Sequence, residues 1–365
     1  MARDGFPRLS LESLPTVHAA HREAQTINAQ AQPAAPSQAT APAHLAVSGL
    51  ALGYSRDLLL TDLELTLERG QRLVVVGASG AGKSTLLAVL AGLAEPTRGR
   101  VQRPADPPGM LFQDGALWPH MTVERHVAFV DPRNDREWHD HLLTVFQLTD
   151  LRRRRPEQLS GGERLRLGLA RALAPRPSWV LLDEPLAHLD PALSASLREK
   201  LPLLIAELNA TQITVTHDPD DVLIFGDQLL SLEGGGHWWM GPTRFALESP
   251  PTPSLAAFSD RGTILTGQSD GMGRVDLGLG LAVDGAEPGV EVTTFLDAAA
   301  VSFTHNASEG VDGVFLAPDR RGGSWVRCGE RLLRCGDSHG RLLSGDKVRL
   351  RIWGQPRLLS SGTRS

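Results

Sequence analysis

Residues Gly77 to Thr85 read GASGAGKST. Before them stands Leu73-Val74-Val75-Val76, a short β-branched apolar run that reads as a buried strand, and after them Leu86-Leu87-Ala88-Val89-Leu90 opens a helix. Strand, glycine-rich loop, helix is the context that a phosphate-binding loop needs. Gly77, Gly80 and Gly82 allow the tight turn that brings backbone N–H groups close to phosphate oxygens. The helix beginning near Lys83 adds the positive end of its dipole. In this pattern Lys83 reaches the β- and γ-phosphates and the Ser84 hydroxyl ligates Mg²⁺.

The chain has 365 residues, which favours two domains over one. A formal net charge of -5 argues against bulk nucleic-acid binding. Two cysteines, Cys328 and Cys335, make no disulfide framework and fit a reducing compartment. No apolar run reaches the roughly 18 residues of a membrane span, and the N-terminus lacks the apolar segment of a secretory signal. A cytoplasmic protein is expected, with any membrane crossing left to other chains. Residues 1–43 are rich in Ala, Pro, Gln, Ser and Thr and read as a disordered leader, with one short helix near His18 to Gln25.

From Leu45 to Leu67 alternating apolar residues predict an antiparallel hairpin. Tyr54, the chain's one tyrosine, falls in its turn, where an aromatic ring is able to stack on a flat base. Gln113 follows the strand ending at Leu111-Phe112; its carboxamide offers an oxygen to a metal. Residues 122–158 read as helices. Leu159-Ser160-Gly161-Gly162-Glu163 then opens a strongly periodic helix. Ser160 suits its cap, and the paired glycines make a second anion-facing surface. WVLLDEP, residues 179–185, is a continuous apolar run and so a buried parallel strand. It ends in Asp183, suited to hold Mg²⁺ through water. Glu184, one residue on, is expected by strand alternation to point away from Asp183 and to polarise the attacking water. Asp190 and Pro191 start another helix, and the strand Ile213-Thr214-Val215-Thr216 delivers His217 to the same edge.

Taken together, these segments resemble the nucleotide-binding subunit of an ATP-binding cassette (ABC) transporter over about residues 45–248. GASGAGKST resembles its Walker A loop, with Gly77, Ser79, Gly80, Ala81, Gly82, Lys83, Ser84 and Thr85 around the phosphates. Gln113 matches the Q-loop glutamine, LSGGE (Ser160, Gly161, Gly162, Glu163) the signature, VLLDE the Walker B strand with its glutamate, and LAHLD, with Asp190, the D-loop. His217 matches the switch histidine and Tyr54 the adenine-stacking aromatic. The resemblance implies an α/β P-loop fold: a RecA-like core, an antiparallel β subdomain and a helical subdomain at about 114–158. It also implies ATP and Mg²⁺ as ligands, with Ser84, Gln113 and Asp183 around the metal and Glu184, His217 and Gln113 catalytic. Two ATPs would lie at a homodimer interface, each between Walker A of one chain and LSGGE of the other. FQDGALWPHMTV resembles the importer branch that moves iron(III), polyamines, sugars or molybdate. That branch acts on the cytoplasmic side of the membrane, with two permease subunits docked in a groove of the helical subdomain and an extracytoplasmic solute-binding protein. Glu163 stands where glutamine is commoner.

The ATPase domain is expected over residues 44–248, a proline-marked linker over 249–262, and from 263 to 365 short strands with glycine turns that read as a small β-barrel. The barrel resembles the OB-like (TOBE-type) accessory domain of the same branch. Cys328, Cys335 and His339 are too few for a complete metal site and read as buried thiols and a loop histidine. Two other readings compete: an ABC ATPase acting on nucleic acid or ribosomes, which salt-sensitive RNA or DNA binding would mark, and an ATP-binding regulator without turnover.

Overall fold

The computed structural model describes residues 44–54, 57–112, 115–187, 189–279, 281–287, 289–303, 311–318, 323–328, 330–336, 344, 346–353 and 356–359. The expected leader and its short helix, Gln113 and His339 lie outside these residues. Two antiparallel strands come first, β1 (Leu45–Tyr54) and β2 (Asp57–Leu67), with Tyr54 paired to Asp57 at the hairpin end. Next are β3 (Arg72–Gly77), α1 (Lys83–Leu90), β4 (Arg98–Gln102) and β5 (Gly109–Leu111). The helical stretch holds α2 (Val123–Val130) and α3 (Arg136–Val145), with Pro132 and Asn134 between them, and then α4 (Gly161–Leu173). β6 (Trp179–Asp183), α5 (Pro191–Glu207), β7 (Thr211–Val215) and α6 (Pro219–Phe225) alternate after it. β8 (Gln228–Gly234), β9 (His237–Pro242), α7 (Thr243–Glu248) and α8 (Pro253–Ser259) complete this half.

The central sheet has the order β5-β6-β7-β3-β8-β9, parallel except for the β8–β9 hairpin. Its strands read as unbroken apolar runs because both faces are covered. Val74, Val76, Val180 and Leu182 face the helices, while Leu73, Val75, Leu181 and Val215 face α1 and the β2-β1-β4 sheet. Each fully buried Leu or Val among them stabilises the fold by roughly 1.5–3 kcal/mol. This order sets the carboxyl ends of β6, β7 and β3 side by side, the edge at which open α/β sheets bind ligands.

The stretch expected as a linker carries α8. Pro253 occupies its first turn, Thr252 caps it by accepting from the Leu255 N–H, and the Thr252 hydroxyl donates to Glu233 Oε1 at 2.9 Å. Ala256 of this helix packs with Phe295 and Leu359 of the following region. The prolines start a helix here, as proline at the first helical position does, instead of marking an extended spacer.

The remaining strands are β10 (Gly262–Gln268), β11 (Val275–Gly278), β12 (Leu281–Val283), β13 (Glu291–Asp297) and β14 (Val301–Phe303). They continue with β15 (Val311–Pro318), β16 (Ser324–Cys328), β17 (Arg331–Cys335), β18 (Lys347–Ile352) and β19 (Arg357–Leu358). A β10-β13-β19 sheet, the β11-β12 hairpin and a β14-β18-β15-β16-β17 sheet curl round one core of Leu265, Val275, Leu277, Val326, Leu333 and Leu350. This is an OB-like half-barrel. Cys328 and Cys335 are both buried in it. Cys328 pairs with Arg331, and Cys335 with Ser324, so the two thiols lie four rungs apart, about 13 Å at strand rise, too far to share a metal. The Cys335 thiol donates to the Val301 carbonyl instead, and burial pushes the Cys328 thiol up to about 11.

Candidate nucleotide site

β3 ends in a loop held open by left-handed glycines. Gly77 has φ 150° and Gly82, the residue before α1, has φ 96°. A Cβ on Gly77 would stand 2.7 Å from the Leu232 carbonyl oxygen, so only glycine fits there. Ser79 and Gly80 are exposed at the loop's crest, while Ala81 is buried under it. Lys83 folds back across this loop, its Nζ donating to the Gly77 and Ala78 carbonyl oxygens at 2.8 Å each. Ser84 Oγ donates to Asp183 Oδ2 at 2.8 Å. Thr85, half-buried, begins the body of α1.

Asp183, the last residue of β6, is buried. Burial holds its carboxyl above the ordinary range, and the Glu184 charge adds to this, against the Ser84 hydrogen bond and Lys83. Burial likewise lowers the Lys83 ammonium, against the attraction of Glu184 and Asp183. A buried carboxylate and a hydroxyl in contact form a hard-oxygen pair of the type Mg²⁺ takes. The residues present therefore fit the metal.

Strand alternation does not aim Glu184. The strand stops at Asp183, and Glu184 has φ 51°, left-handed backbone that a glutamate seldom adopts. Its N–H donates to the Val215 carbonyl at 3.0 Å, pinning the turn to the end of β7. Its carboxylate is carried to His217, whose Nδ1 lies 3.2 Å from Glu184 Oε1. Strain of this kind gathers where a side chain must point somewhere specific.

α4 begins with a reciprocal cap. Glu163 N–H donates to Ser160 Oγ at 3.2 Å, and Ser160 N–H donates to Glu163 Oε2 at 2.7 Å. The Ser160 hydroxyl also bonds to the Glu163 carboxylate, and Gly161 has open space around it. Backbone hydrogen bonding from Ser160 draws the Glu163 carboxyl below its ordinary range. Asp190 caps α5, accepting from the Leu193 N–H at 3.0 Å. Within the chain, Ser84, Lys83, Asp183, Glu184 and His217 converge on one sheet edge, whereas Ser160, Gly161, Gly162, Glu163 and Asp190 sit at the starts of two other helices. Tyr54 ends β1, and Gln113 lies outside the described residues.

Sequence reasoning missed one group and left a second, the groove expected in the helical subdomain, without its lining residues. Arg198 of α5 donates to Asp218 and Asp221, the carboxylates that follow His217; the only local signal was Asp218 before Pro219, a helix-start pair. The second is a cavity of about 830 Å³ between the end of β5, α2 and α4, with Phe112, Trp118, Val130 and Arg171 in its lining. Arg171 donates to the Ala116 and Met110 carbonyls and lies 5.5 Å over the Trp118 ring. The Trp118 N–H donates to His126 Nε2 at 2.9 Å and His126 Nδ1 donates to the Thr122 carbonyl at 2.8 Å, which defines a neutral imidazole whose basicity burial lowers.

The chain matches the ABC transporter family over residues 60–187. It is 37% identical over 236 residues to an Fe(3+) ions import ATP-binding protein of Pseudomonas fluorescens, covering 60% of this chain and 67% of that one. It is 36% identical over 245 residues to the corresponding protein of Pectobacterium atrosepticum, covering 62% and 70%. A sulfate/thiosulfate import ATP-binding protein of Synechococcus elongatus is 38% identical over 213 residues, 54% of this chain and 62% of that one. Among solved structures, a dimeric post-hydrolysis ATP-binding cassette bound to ADP and phosphate superposes with a TM-score of 0.50 at 25% identity, covering 55% of this chain and 99% of that one. With motif order, sheet topology and relatives in agreement, the chain belongs to the ABC transporter family, among its import-type ATP-binding proteins.

Proposed function

We propose that this ATPase powers an importer through a two-site sandwich built from two copies of the chain. The observation that carries the reading is the adjacency of two pairs at one sheet edge: Ser84 with Asp183, and Glu184 with His217, at 2.8 Å and 3.2 Å. In this reading the loop N–H groups and Lys83 bind the β- and γ-phosphates, Lys83 leaving the Gly77 and Ala78 carbonyls to do so. Ser84, Asp183 and Gln113 hold Mg²⁺, which neutralises phosphate charge when bound. Glu184 takes the proton of the attacking water, and His217 orients Glu184 and donates to the γ-phosphate. Tyr54 stacks on the adenine. Ser160, its hydroxyl turning from the Glu163 carboxylate, and Gly161 and Gly162 present donors to the ATP of the partner copy, and Asp190 lies along the same interface. Glu163 keeps the α4 cap formed.

The domain limits follow the same reading: an ATPase domain over 44–248, a helical subdomain near 114–158 and an accessory half-barrel from 263 onward. The cavity at Trp118 and Arg171 suits a short apolar helix of a permease subunit, and Phe129, 66% exposed and edge-on to Trp118 at 5.2 Å, extends its apolar rim. Among the described residues no helix is long and apolar enough to cross a membrane. In this reading the chain acts from the cytoplasmic face, against two permease subunits fed by a solute-binding protein. Relatives named for iron(III), sulfate or thiosulfate, and spermidine or putrescine import match this one chain, which supports the reading that solute choice lies in the partner subunits. A pull-down of the tagged chain from native membranes tests the reading. Two permease chains and a binding protein are expected; ribosomes or nucleic acid without a permease would overturn it.

A further inference from the structure

We propose that Arg198 is a positioning residue for ATP hydrolysis, holding His217 against Glu184 by clamping Asp218 and Asp221, two of the carboxylates that follow it in the chain. The inference rests on the reading of His217 as part of the hydrolytic site.

The His217 side chain is 69% exposed, so its place depends on the loop that carries it. That loop is tied down from one side. Arg198 Nη2 donates to Asp218 Oδ2 at 2.6 Å, and Arg198 Nε donates to Asp221 Oδ1 at 2.7 Å. Thr216, the residue before His217, is 3% exposed; its hydroxyl donates to Asp221 Oδ2 at 3.2 Å and accepts from the Asp218 N–H at 3.0 Å. The backbone on both sides of His217 is therefore held by a carboxylate that Arg198 holds in turn. A planar guanidinium serves two carboxylates at fixed geometry, which an ammonium does not. Asp221 is buried, and burial raises its carboxyl, so without Arg198 its charge is uncompensated and the loop loses its anchor.

Arg198 also lies on α5, the helix that Asp190 caps. Glu184, Leu189, Pro191, Arg198 and His217 line one cavity of about 340 Å³. The clamp thus fixes the spacing between the helix following Asp190 and the histidine. A shift of that loop by about 1 Å is enough to cost on the order of a hundredfold in rate.

The test is steady-state phosphate release by the full-length chain with Mg²⁺ and ATP, for Arg198→Met, His217→Ala and the double variant. Arg198→Met should lower kcat by about tenfold to a hundredfold and leave the KM for ATP within about twofold, because Arg198 makes no contact with the phosphate-binding loop. In the His217→Ala background it should have no further effect. Arg198→Lys, which serves one carboxylate at a time, should fall between. An undiminished kcat in Arg198→Met, or an equal loss with and without His217, would overturn the proposal. A wild-type rate in His217→Ala alone would remove His217 from hydrolysis, and the proposal with it. If Arg198→Met fails to fold, Thr216→Val, which keeps the guanidinium and breaks its path to the loop through Asp221, carries the same comparison with a smaller expected loss.

Discussion

The Ser84 hydroxyl and the Asp183 carboxylate meet at 2.8 Å, joining the first turn of α1 to the last residue of β6. Two oxygens from separate elements are thereby set in contact at the sheet edge, one of them a carboxylate with little access to water. The arrangement opposes stability: a buried carboxylate next to a second one, Glu184, is held away from its preferred ionised state.

Asp183→Asn should separate stability from function. The folded-state pKa of Asp183 is raised, so the folded chain binds this proton more tightly than the unfolded chain does. Stability from that proton is present below the unfolded pKa and lost as pH rises through the folded one. At pH 7–8 the nucleotide-free variant should melt about 2–4 °C higher than wild type, the shift that about 1 kcal/mol gives in a domain of this size. The gain should vanish near pH 4, and Mg²⁺-dependent hydrolysis should be lost. Differential scanning calorimetry across pH, with phosphate release alongside, checks both; a lower melting point at pH 8 contradicts the account.

Glu184→Gln removes the base without removing bulk. Phosphate release should fall by at least about a hundredfold, while ATP binding persists because the phosphate loop is untouched. Light scattering with ATP should then show a lasting dimer. Hydrolysis at the wild-type rate would exclude Glu184 as the base.

Most of this site was legible because its motifs are contiguous and each lies at the end of an apolar strand. GASGAGKST follows Val76, Asp183 follows Leu182, and His217 follows the run ending at Thr216, so period and strand order alone bring them to one edge. What stayed hidden depends on geometry that no local pattern encodes. The aim of Glu184 comes from a backbone φ of 51°, which strand alternation cannot anticipate. Arg198 meets Asp218 across a strand and a turn, and neither residue marks the other in sequence. Proline-rich 250–253 read as a spacer, yet Pro253 with Thr252 before it is a helix start, with Leu255 in the ATPase core and Ala256 against Phe295 and Leu359 of the later region.

The Ser160–Glu163 cap makes opposite forecasts for its two members. Ser160→Ala should cost about 1 kcal/mol of stability, the usual effect of losing a helix N-cap. Glu163→Gln keeps an acceptor for the Ser160 N–H and should leave hydrolysis near wild type. Since the folded pKa of Glu163 is depressed, its contribution is present above the unfolded value of about 4.3 and lost as pH falls through the folded one. The melting point of Glu163→Gln should therefore drop less than that of wild type between pH 5 and pH 3. Thermal melts at the two pH values decide it; equal drops would mean that the carboxylate charge adds nothing to the cap.

The cavity beside Trp118 makes the last forecast. Phe129 exposes 66% of its surface and rests edge-on against Trp118, while the base of the cavity is held by Arg171 and by the neutral His126. A rim phenylalanine so exposed contributes little to folding, so Phe129→Ala should leave the melting point within about 1 °C, as surface substitutions do. A desolvated aromatic at an interface centre is another matter, and its truncation typically costs about 2 kcal/mol or more of binding. Co-purification of permease chains with Phe129→Ala should accordingly fall by at least about thirtyfold in apparent affinity, measured by titrating the purified subunit onto permease-containing membranes. Unchanged capture would place the permease contact elsewhere on the chain; a lowered melting point would mean that Phe129 serves the fold and not the interface.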